Sequence, residues 1–305
     1  MEISNISWLT EGSFSVVQFR SEECDTLDYI SVNSAVKQGK LEITEVNEGG
    51  AVNTILVKNS SDKCVFISEG DLLQGAKQNR VLITSVFLMP QSKFNLPVNC
   101  VEQGRWSRRS KNFTPHKHSA PMDVKKNLRN SVSLNLNEER GHYADQMRTW
   151  DTVSSTSERY RSASSTEDLL EIMQEKTKQY ENKTKNFLPD ENANSLVIFY
   201  GGEPVDLECY NRRDIYAEYF RKVVLSAYDD YECFYKKEHT PAKGELEYKT
   251  LELLDAIQKF EKKIHKGVAA GEEKRFRDDI TSGFELVYEN RPVHLSVLKE
   301  YSKLG

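Results

Sequence analysis

With 305 residues, 38% of them hydrophobic and 29% charged, the chain can bury one large core or two medium ones. It has no run of about 18 apolar residues, which excludes a membrane-spanning helix, and its first residues lack the basic and apolar regions of a secretory signal. Five cysteines, an odd number with no Cys-x-x-Cys among them, argue against a disulfide framework and a structural zinc, so a reducing cytoplasm is expected.

In chain order, residues 1–68 read as short strands: Phe14 to Phe19, Asp28 to Val32, Glu42 to Val46, Asn53 to Val57 and Cys64 to Ile67, separated by turn-rich segments. The apolar run Val81 to Met89, the turn Pro90-Gln91-Ser92 and the strand Phe94 to Val101 form a β-hairpin. Strands at this spacing predict an antiparallel sandwich or open barrel, and a sandwich of roughly seven strands over residues 10–103 is the favoured form.

From Ser107 to Met122 the chain becomes an apolar-poor loop. A helix starting at Asn135 or Asn137 follows, with Tyr143, Met147 and Trp150 on its buried face and Gln146 beside it. A serine-rich linker spans 154–166. Ser165 and Asp168 resemble a capping pair for a helix from Glu167 to about Lys185, whose Leu169, Leu170 and Met173 face inward.

Leu196 to Leu207 can be laid over Phe284 to Leu295: in each, an apolar strand ending in Tyr meets a tight turn, then Pro-Val-x-Leu opens a second strand. The register makes Asp206 and His294 equivalent. Between these hairpins lie two helices. Asp214 to about Tyr235 buries Ile215, Tyr219, Val223 and Ala227; Glu245 to His265 buries Leu246, Leu253, Ile257, Phe260 and Ile264. The fold class is therefore α+β: a β-rich domain over 1–106, a basic linker over 107–138, and a helix-rich α+β region over 139–305 with two hairpins on one sheet covered on one face.

The net charge of −5 is unevenly spread. Residues 104–130 carry eight basic side chains against one acid, Asp123, so this stretch is +7 and the remainder −12. A basic segment on an acidic body can steer an anionic ligand.

Antiparallel pairing of the 81–101 hairpin sets Gln74, Lys77, Gln78, Asn79 and Arg80 against Glu102, Arg105 and Trp106 at one end. Gly70, Gly75 and Gly104 stand where the backbone must turn or approach another segment. Lys77, Arg80 and Arg105 suit a phosphate, Gln74, Gln78 and Asn79 suit sugar hydroxyls or a base, and Trp106 offers a stacking face. Glu102 has the chemistry of a general base toward water. A competing reading makes Arg80, Glu102 and Arg105 a structural ion-pair network with Trp106 as a plug.

The run Glu69-Gly70-Asp71-Leu72-Leu73-Gln74-Gly75-Ala76-Lys77-Gln78-Asn79-Arg80-Val81-Leu82, followed by Pro97-Val98-Asn99-Cys100-Val101-Glu102-Gln103-Gly104-Arg105-Trp106, resembles the ARG and Rhodanese-Phosphatase superfamily associated Protein domain family. Gln146 with Trp150, the hairpin near 196–209 and Pro-Val-His-Leu at 292–295 match in kind, so the likeness covers most of the chain. It implies a bacterial protein whose relatives accompany ADP-ribosyl-glycohydrolase-like genes in conflict or nucleotide-metabolism systems, and no demonstrated activity. Gln146 and His294 join the ligand-binding candidates on that ground.

Phosphate-loop, nucleophile-elbow and His-Glu-x-x-His motifs are absent, and no cofactor is expected. His116 and His118 alternate on a strand as metal ligands can, but two ligands with Lys117 between them do not make a site, so no metal is expected. The resulting expectation is binding, with processing as an open second step, of a phosphate-bearing nucleotide-like ligand of the ADP-ribose type. The alternative is a non-catalytic module or defence-system scaffold that docks a protein or nucleic acid through the basic loop. Overall acidity and sparse aromatics in that loop, Trp106 and Phe113 alone, argue against nucleic acid.

Overall fold

The computed structural model describes residues 2–235 and 239–300. The chain opens with β1 (Ile3–Glu11), β2 (Phe14–Ser21), β3 (Tyr29–Ser31), α1 (Val32–Lys37), β4 (Leu41–Glu45), β5 (Thr54–Asn59), β6 (Cys64–Ile67), β7 (Asp71–Gly75), β8 (Arg80–Leu82), β9 (Val86–Leu88), β10 (Ser92–Cys100) and β11 (Phe113–Ser119). Next come α2 (Met122–Asn137), α3 (Gln146–Tyr160), α4 (Leu169–Thr184), β12 (Ser195–Tyr200), β13 (Glu203–Tyr210), α5 (Arg213–Phe234) and α6 (Lys243–Lys259). It closes with β14 (Lys263–Lys266), β15 (Glu272–Arg277), β16 (Thr281–Tyr288) and β17 (Arg291–Lys299). The class is α+β, as the sequence implies.

Two compact units are present, one comprising Asp28–Gln179 with Lys266–Ala270, the other Met1–Leu27, Tyr180–His265 and Gly271–Gly305. In the first, the strand order β11-β7-β8-β10-β5-β4 makes a six-stranded sheet, and β3-β6-β9 a smaller one. A bridge from Thr44 to Asn112 ties the two edges of the larger sheet, curling it toward a barrel. Val57, Leu73, Leu82, Leu96, Val98 and Phe113 fill its core.

Three expectations change in this unit. The run 81–89 is not one strand: β8 pairs with β10, while β9 leaves for β6. Buried Thr84 and Ser85 mark the break, and Ser85 Oγ accepts a hydrogen bond from Glu69 N at 2.8 Å. The basic segment carries β11 and α2, because Val124, Leu128, Val132 and Leu136 recur every fourth residue and are buried beneath its charge. The serines at 154–157 continue α3, whose buried residues are Thr149, Val153, Thr156 and Tyr160; Tyr143 and Met147 are exposed, since the helix begins only after its Asp145 cap.

The second unit is built on an eight-stranded sheet ordered β1-β2-β12-β13-β17-β16-β15-β14. Strand β2 pairs here with β12 and does not join the barrel strands. Val16, Val17 and Phe19 are all fully buried, and a strand apolar on both faces needs cover on both sides. That cover exists. Leu246, Leu253, Leu254 and Ile257 of α6 pack with Val17, Phe19, Val197, Phe199 and Leu207. The alternate residues meet α5: Tyr216 Oη donates to Gln18 Oε1 at 2.6 Å, and Tyr200 Oη to the Ala227 carbonyl at 2.6 Å. The sheet is thus covered on both faces, where one was expected. Helix α6 also ends before Ile264, which lies exposed within the Lys-rich edge strand β14.

The two hairpins repeat in detail. Gly201-Gly202 and Glu289-Asn290 both have positive φ at both positions, the geometry of a two-residue type I′ turn. In both, the ladder shifts by one residue just before the turn, leaving Val205 or Val293 as the extra residue after a proline that has no N–H for the ladder. Strand β13 pairs with β17 such that Glu208 lies opposite Ser296, its own counterpart in the repeat, so a local two-fold passes between them.

Candidate functional site

Strands β8 and β10 place Arg80 opposite Cys100, which brings the residues entering β8 and those leaving β10 to one end of the barrel. Gly104 lets the 102–105 turn press onto Thr166, where an added Cβ would stand 2.9 Å from Thr166 Cα. At the centre is Glu102, wholly buried. Arg105 grips it with Nε at 2.6 Å and Nη2 at 2.5 Å, a two-pronged fork. The Asn79 N–H donates to it at 3.1 Å and Thr166 Oγ1 at 3.3 Å. Burial disfavours the charge, but the Arg105 and Asn79 hydrogen bonds outweigh it and hold the Glu102 carboxyl below its ordinary range. Arg105 spends Nη1 on the carbonyls of Ala76 at 2.9 Å and Ser107 at 2.7 Å.

Asn79 links this pair to a second carboxylate. Its Oδ1 accepts from Gly75 N at 2.9 Å, and its Nδ2 donates to both oxygens of Asp168 at 3.0 Å. Asp168 also accepts from Leu170 N at 3.0 Å, capping α4. Burial pushes Asp168 up to about 6 against the Asn79 hydrogen bonds, and the Glu102 charge adds to the rise. Adjacent carboxyls are thereby driven apart in acidity.

Arg80 is fully buried, and burial lowers its basicity. Its Nη1 donates to the Gln78 carbonyl at 3.1 Å and its Nη2 to the Ala51 carbonyl at 3.2 Å, with Glu45 as counter-ion at 3.6 Å. Among the described residues, Arg80 Nε and Glu45 Oε2 have no hydrogen-bond partner. Gln78 Nε2 reaches the Gln103 carbonyl at 3.4 Å. Above Arg80 lies Trp106, 45% exposed, with the Arg80 guanidinium 5.7 Å and Lys77 Nζ 5.4 Å from its ring centre. Half-exposed Arg109 stands 3.7 Å from Glu102, and Gln74 is exposed on β7 opposite Thr114.

The fold therefore brings together Lys77, Gln78, Asn79, Arg80, Glu102, Arg105 and Trp106. Gln146 is occupied elsewhere: its amide accepts from Cys100 N at 2.8 Å and donates to Cys100 O at 2.9 Å, fastening the start of α3 to β10 as a neighbouring strand would. His294 belongs to the eight-stranded sheet. Its Nε2 lies 2.7 Å from Glu208 Oε2, and its ring stacks on Tyr210 at 4.7 Å. Sequence reasoning missed Glu45, Asp168 and Glu208. Glu208 was within reach, being two residues after Asp206 and so on the same face.

Chemically, a general base must offer a lone pair to the proton it removes. Both Glu102 oxygens already carry donors, so this geometry makes the Glu102–Arg105 pair a brace under an exposed, cationic rim. The His116 and His118 rings sit 5.0 Å apart, and among the described residues no third His, Cys, Asp or Glu joins them as a metal-holding group.

No helix among the described residues is long and apolar enough to cross a membrane. No curated protein and no solved structure matches the chain. A family model does, over residues 5–298, and the chain belongs to the family it describes, the ARG and Rhodanese-Phosphatase-superfamily-associated Protein domain.

Proposed function

We propose that the rim around Trp106 binds a phosphate-bearing, nucleotide-like ligand of the ADP-ribose type. One observation carries this reading: a half-exposed indole is held on a buried base, with Lys77 and Arg80 on its ring and Arg109 3.7 Å from Glu102 of that base. A flat aromatic surface fixed in advance loses little entropy when a base stacks on it, and nearby cations attract the phosphates. Lys77 and Arg109 take the phosphates, Trp106 takes the base, and Glu102 with Arg105 holds the platform. The ADP-ribose identity and the bacterial conflict or nucleotide-metabolism setting follow the family's associations. Five free cysteines accord with a reducing cytoplasm.

The docking alternative draws less support, because Lys125 and Arg129 of the basic segment are buried on α2, Arg129 in an ion pair with Glu69 at 3.2 Å. Titration calorimetry with ADP-ribose is the test. Trp106→Ala is expected to weaken binding about tenfold or more, in line with roughly 1–3 kcal/mol per stacked base, while leaving thermal unfolding in place. Undiminished affinity in that variant sinks the reading.

A further inference from the structure

In the second unit one row of residues crosses five neighbouring strands on the face that meets α6. Phe19 lies opposite Ser195, Ser195 opposite Cys209, Cys209 opposite Leu295 and Leu295 opposite Glu285. Leu246, Leu253 and Ile257 of α6 share a core with Cys209 and Leu295. Beside that core the row opens to a cavity of about 230 Å³, smaller than the roughly 300–1,000 Å³ that takes a drug-sized molecule. Cys209, Leu295 and Pro292 give it an apolar lining, and burial pushes the Cys209 thiol up to about 12, so this floor is neutral. Another wall is the chain leaving β2, Ser21 to Glu23. Asn211 fixes that wall, donating from Nδ2 to the carbonyls of Glu23 at 3.0 Å and Pro292 at 2.9 Å.

The polar groups of the cavity are unequally committed. Glu285 has Lys262 Nζ at 3.4 Å and Lys274 Nζ at 3.9 Å. Glu22 and Glu23 are exposed, and among the described residues their carboxylates meet no cation and no hydrogen-bond donor. Two negative charges therefore border an apolar floor without compensation. Ser21 supplies the second observation. Lying two residues after Phe19, it points to the same face, and it is more than nine-tenths buried yet keeps 8% of its surface open. Its N–H donates to Asn194 Oδ1 and its Oγ accepts from Asn194 Nδ2, both at 2.8 Å. The hydroxyl proton has no acceptor among the described residues, although Ser21 lines the cavity. A buried donor without an acceptor is costly, and an oxygen brought into the cavity removes that cost.

We infer that this cavity binds the α-amino end of an apolar amino-acid residue whose carboxyl is not free, as in an amino-acid amide or the first residue of a peptide. The ammonium takes the charges of Glu22 and Glu23, the side chain lies on Cys209, Leu295 and Pro292, and the carbonyl accepts from Ser21 Oγ. Ammonium and carbonyl of one residue are joined through a single carbon, which suits partners as close as Ser21 and Glu22. A free amino acid is disfavoured, because its own carboxylate would meet Glu22, Glu23 and Glu285.

Calorimetric titration of the full chain with leucinamide tests this. Wild-type protein is expected to bind leucinamide, and to bind leucine at least tenfold more weakly. The Glu22→Gln, Glu23→Gln double variant is expected to bind leucinamide at least tenfold more weakly than wild type. Both residues are exposed, so this change leaves the fold in place. Ser21→Ala is expected to lose a smaller part, with thermal unfolding followed alongside because Ser21 also holds Asn194. Absence of binding at millimolar leucinamide overturns the inference, as does full affinity in the double variant or leucine binding as tightly as leucinamide. Isoamylamine has the amine and the side chain without the carbonyl; equal affinity for it would leave Ser21 without a role and would also overturn the inference. The tripeptide Leu-Gly-Gly separates the sources: binding tighter than leucinamide assigns a peptide end, equal or weaker binding a single residue, and either supports the site. The Trp106 reading stands or falls on its own titration.

Discussion

The hairpin base in the barrel unit and the His294–Glu208 pair on the eight-stranded sheet both bury charge, but they assemble it differently. Glu102 and Arg105 are three residues apart in one turn, and the Asn79 N–H joins the Arg105 fork on the carboxylate. Glu208 and His294 come from two hairpins that meet about a local two-fold. The cations also differ in reach: Arg105 presents a planar fork to both oxygens of Glu102, whereas His294 meets Glu208 through one ring nitrogen. Losing the carboxylate therefore breaks a two-pronged contact in the first cluster and a single one to the ring in the second.

Removing each carboxylate in turn breaks the comparison most sharply. Glu102→Gln leaves Arg105 buried without a counter-charge and is expected to cost about 3–5 kcal/mol in denaturant unfolding. Glu208→Gln weakens the contact to the His294 ring and is expected to cost less, about 1.5–3 kcal/mol. Equal losses, or a larger one at Glu208, would mean that the difference between guanidinium and imidazole does not govern these clusters.

The pH dependence of stability probes the first cluster from inside. Asp168 is raised from 3.8 to about 6 in the folded state, so the fold binds its proton more tightly than the unfolded chain does. Its contribution is fully present below about 3.8 and is lost as pH rises through about 6. Glu102 has the opposite sign: its contribution is present above its ordinary value of 4.5 and lost on acidification through its lowered folded value. Between pH 4.5 and 6 the Asp168 slope runs without that of Glu102. A shift of about two units corresponds to roughly 3 kcal/mol as an upper figure. Asp168→Asn is expected to raise stability at pH 7.5 by about 1–3 kcal/mol and to flatten the slope between pH 4.5 and 6. An unchanged slope would place the proton elsewhere.

Local pattern made much of this legible. Strands β4, β5 and β6, both central hairpins, α5 and the inward face of α4 follow periodicity and turn chemistry, and the convergence of Lys77–Arg80 with Glu102–Trp106 follows from pairing two neighbouring strands. What stayed hidden was set by distant partners. The departure of β9 from β8, the pairing of β2 with β12, and the bond from Asn79 to Asp168 join segments whose separation no local period records. Helix α2 was concealed differently: its basic residues drew attention from a four-residue apolar spacing that was present throughout.

The smallest effect compares the two hairpins themselves. Their turns have the same left-handed backbone, but one is Gly201-Gly202 and the other Glu289-Asn290. Glycine adopts that conformation freely and asparagine tolerates it, while a glutamate there sets its Cβ against the carbonyl at a cost of about 1–2 kcal/mol. Glu289→Gly removes this strain but enlarges the unfolded ensemble by up to about 1 kcal/mol, so a net gain of about 0.5–1 kcal/mol is expected. The reverse change is not symmetrical. At Gly201 an added Cβ would collide with the Tyr235 hydroxyl as well as take up the strained backbone, so Gly201→Ala should destabilise by more than Glu289→Gly stabilises. Thermal unfolding of the two variants side by side measures both. If Glu289→Gly lowers the melting temperature, the glutamate makes a contact that outweighs its backbone strain, and the two turns are equivalent in shape but not in energy.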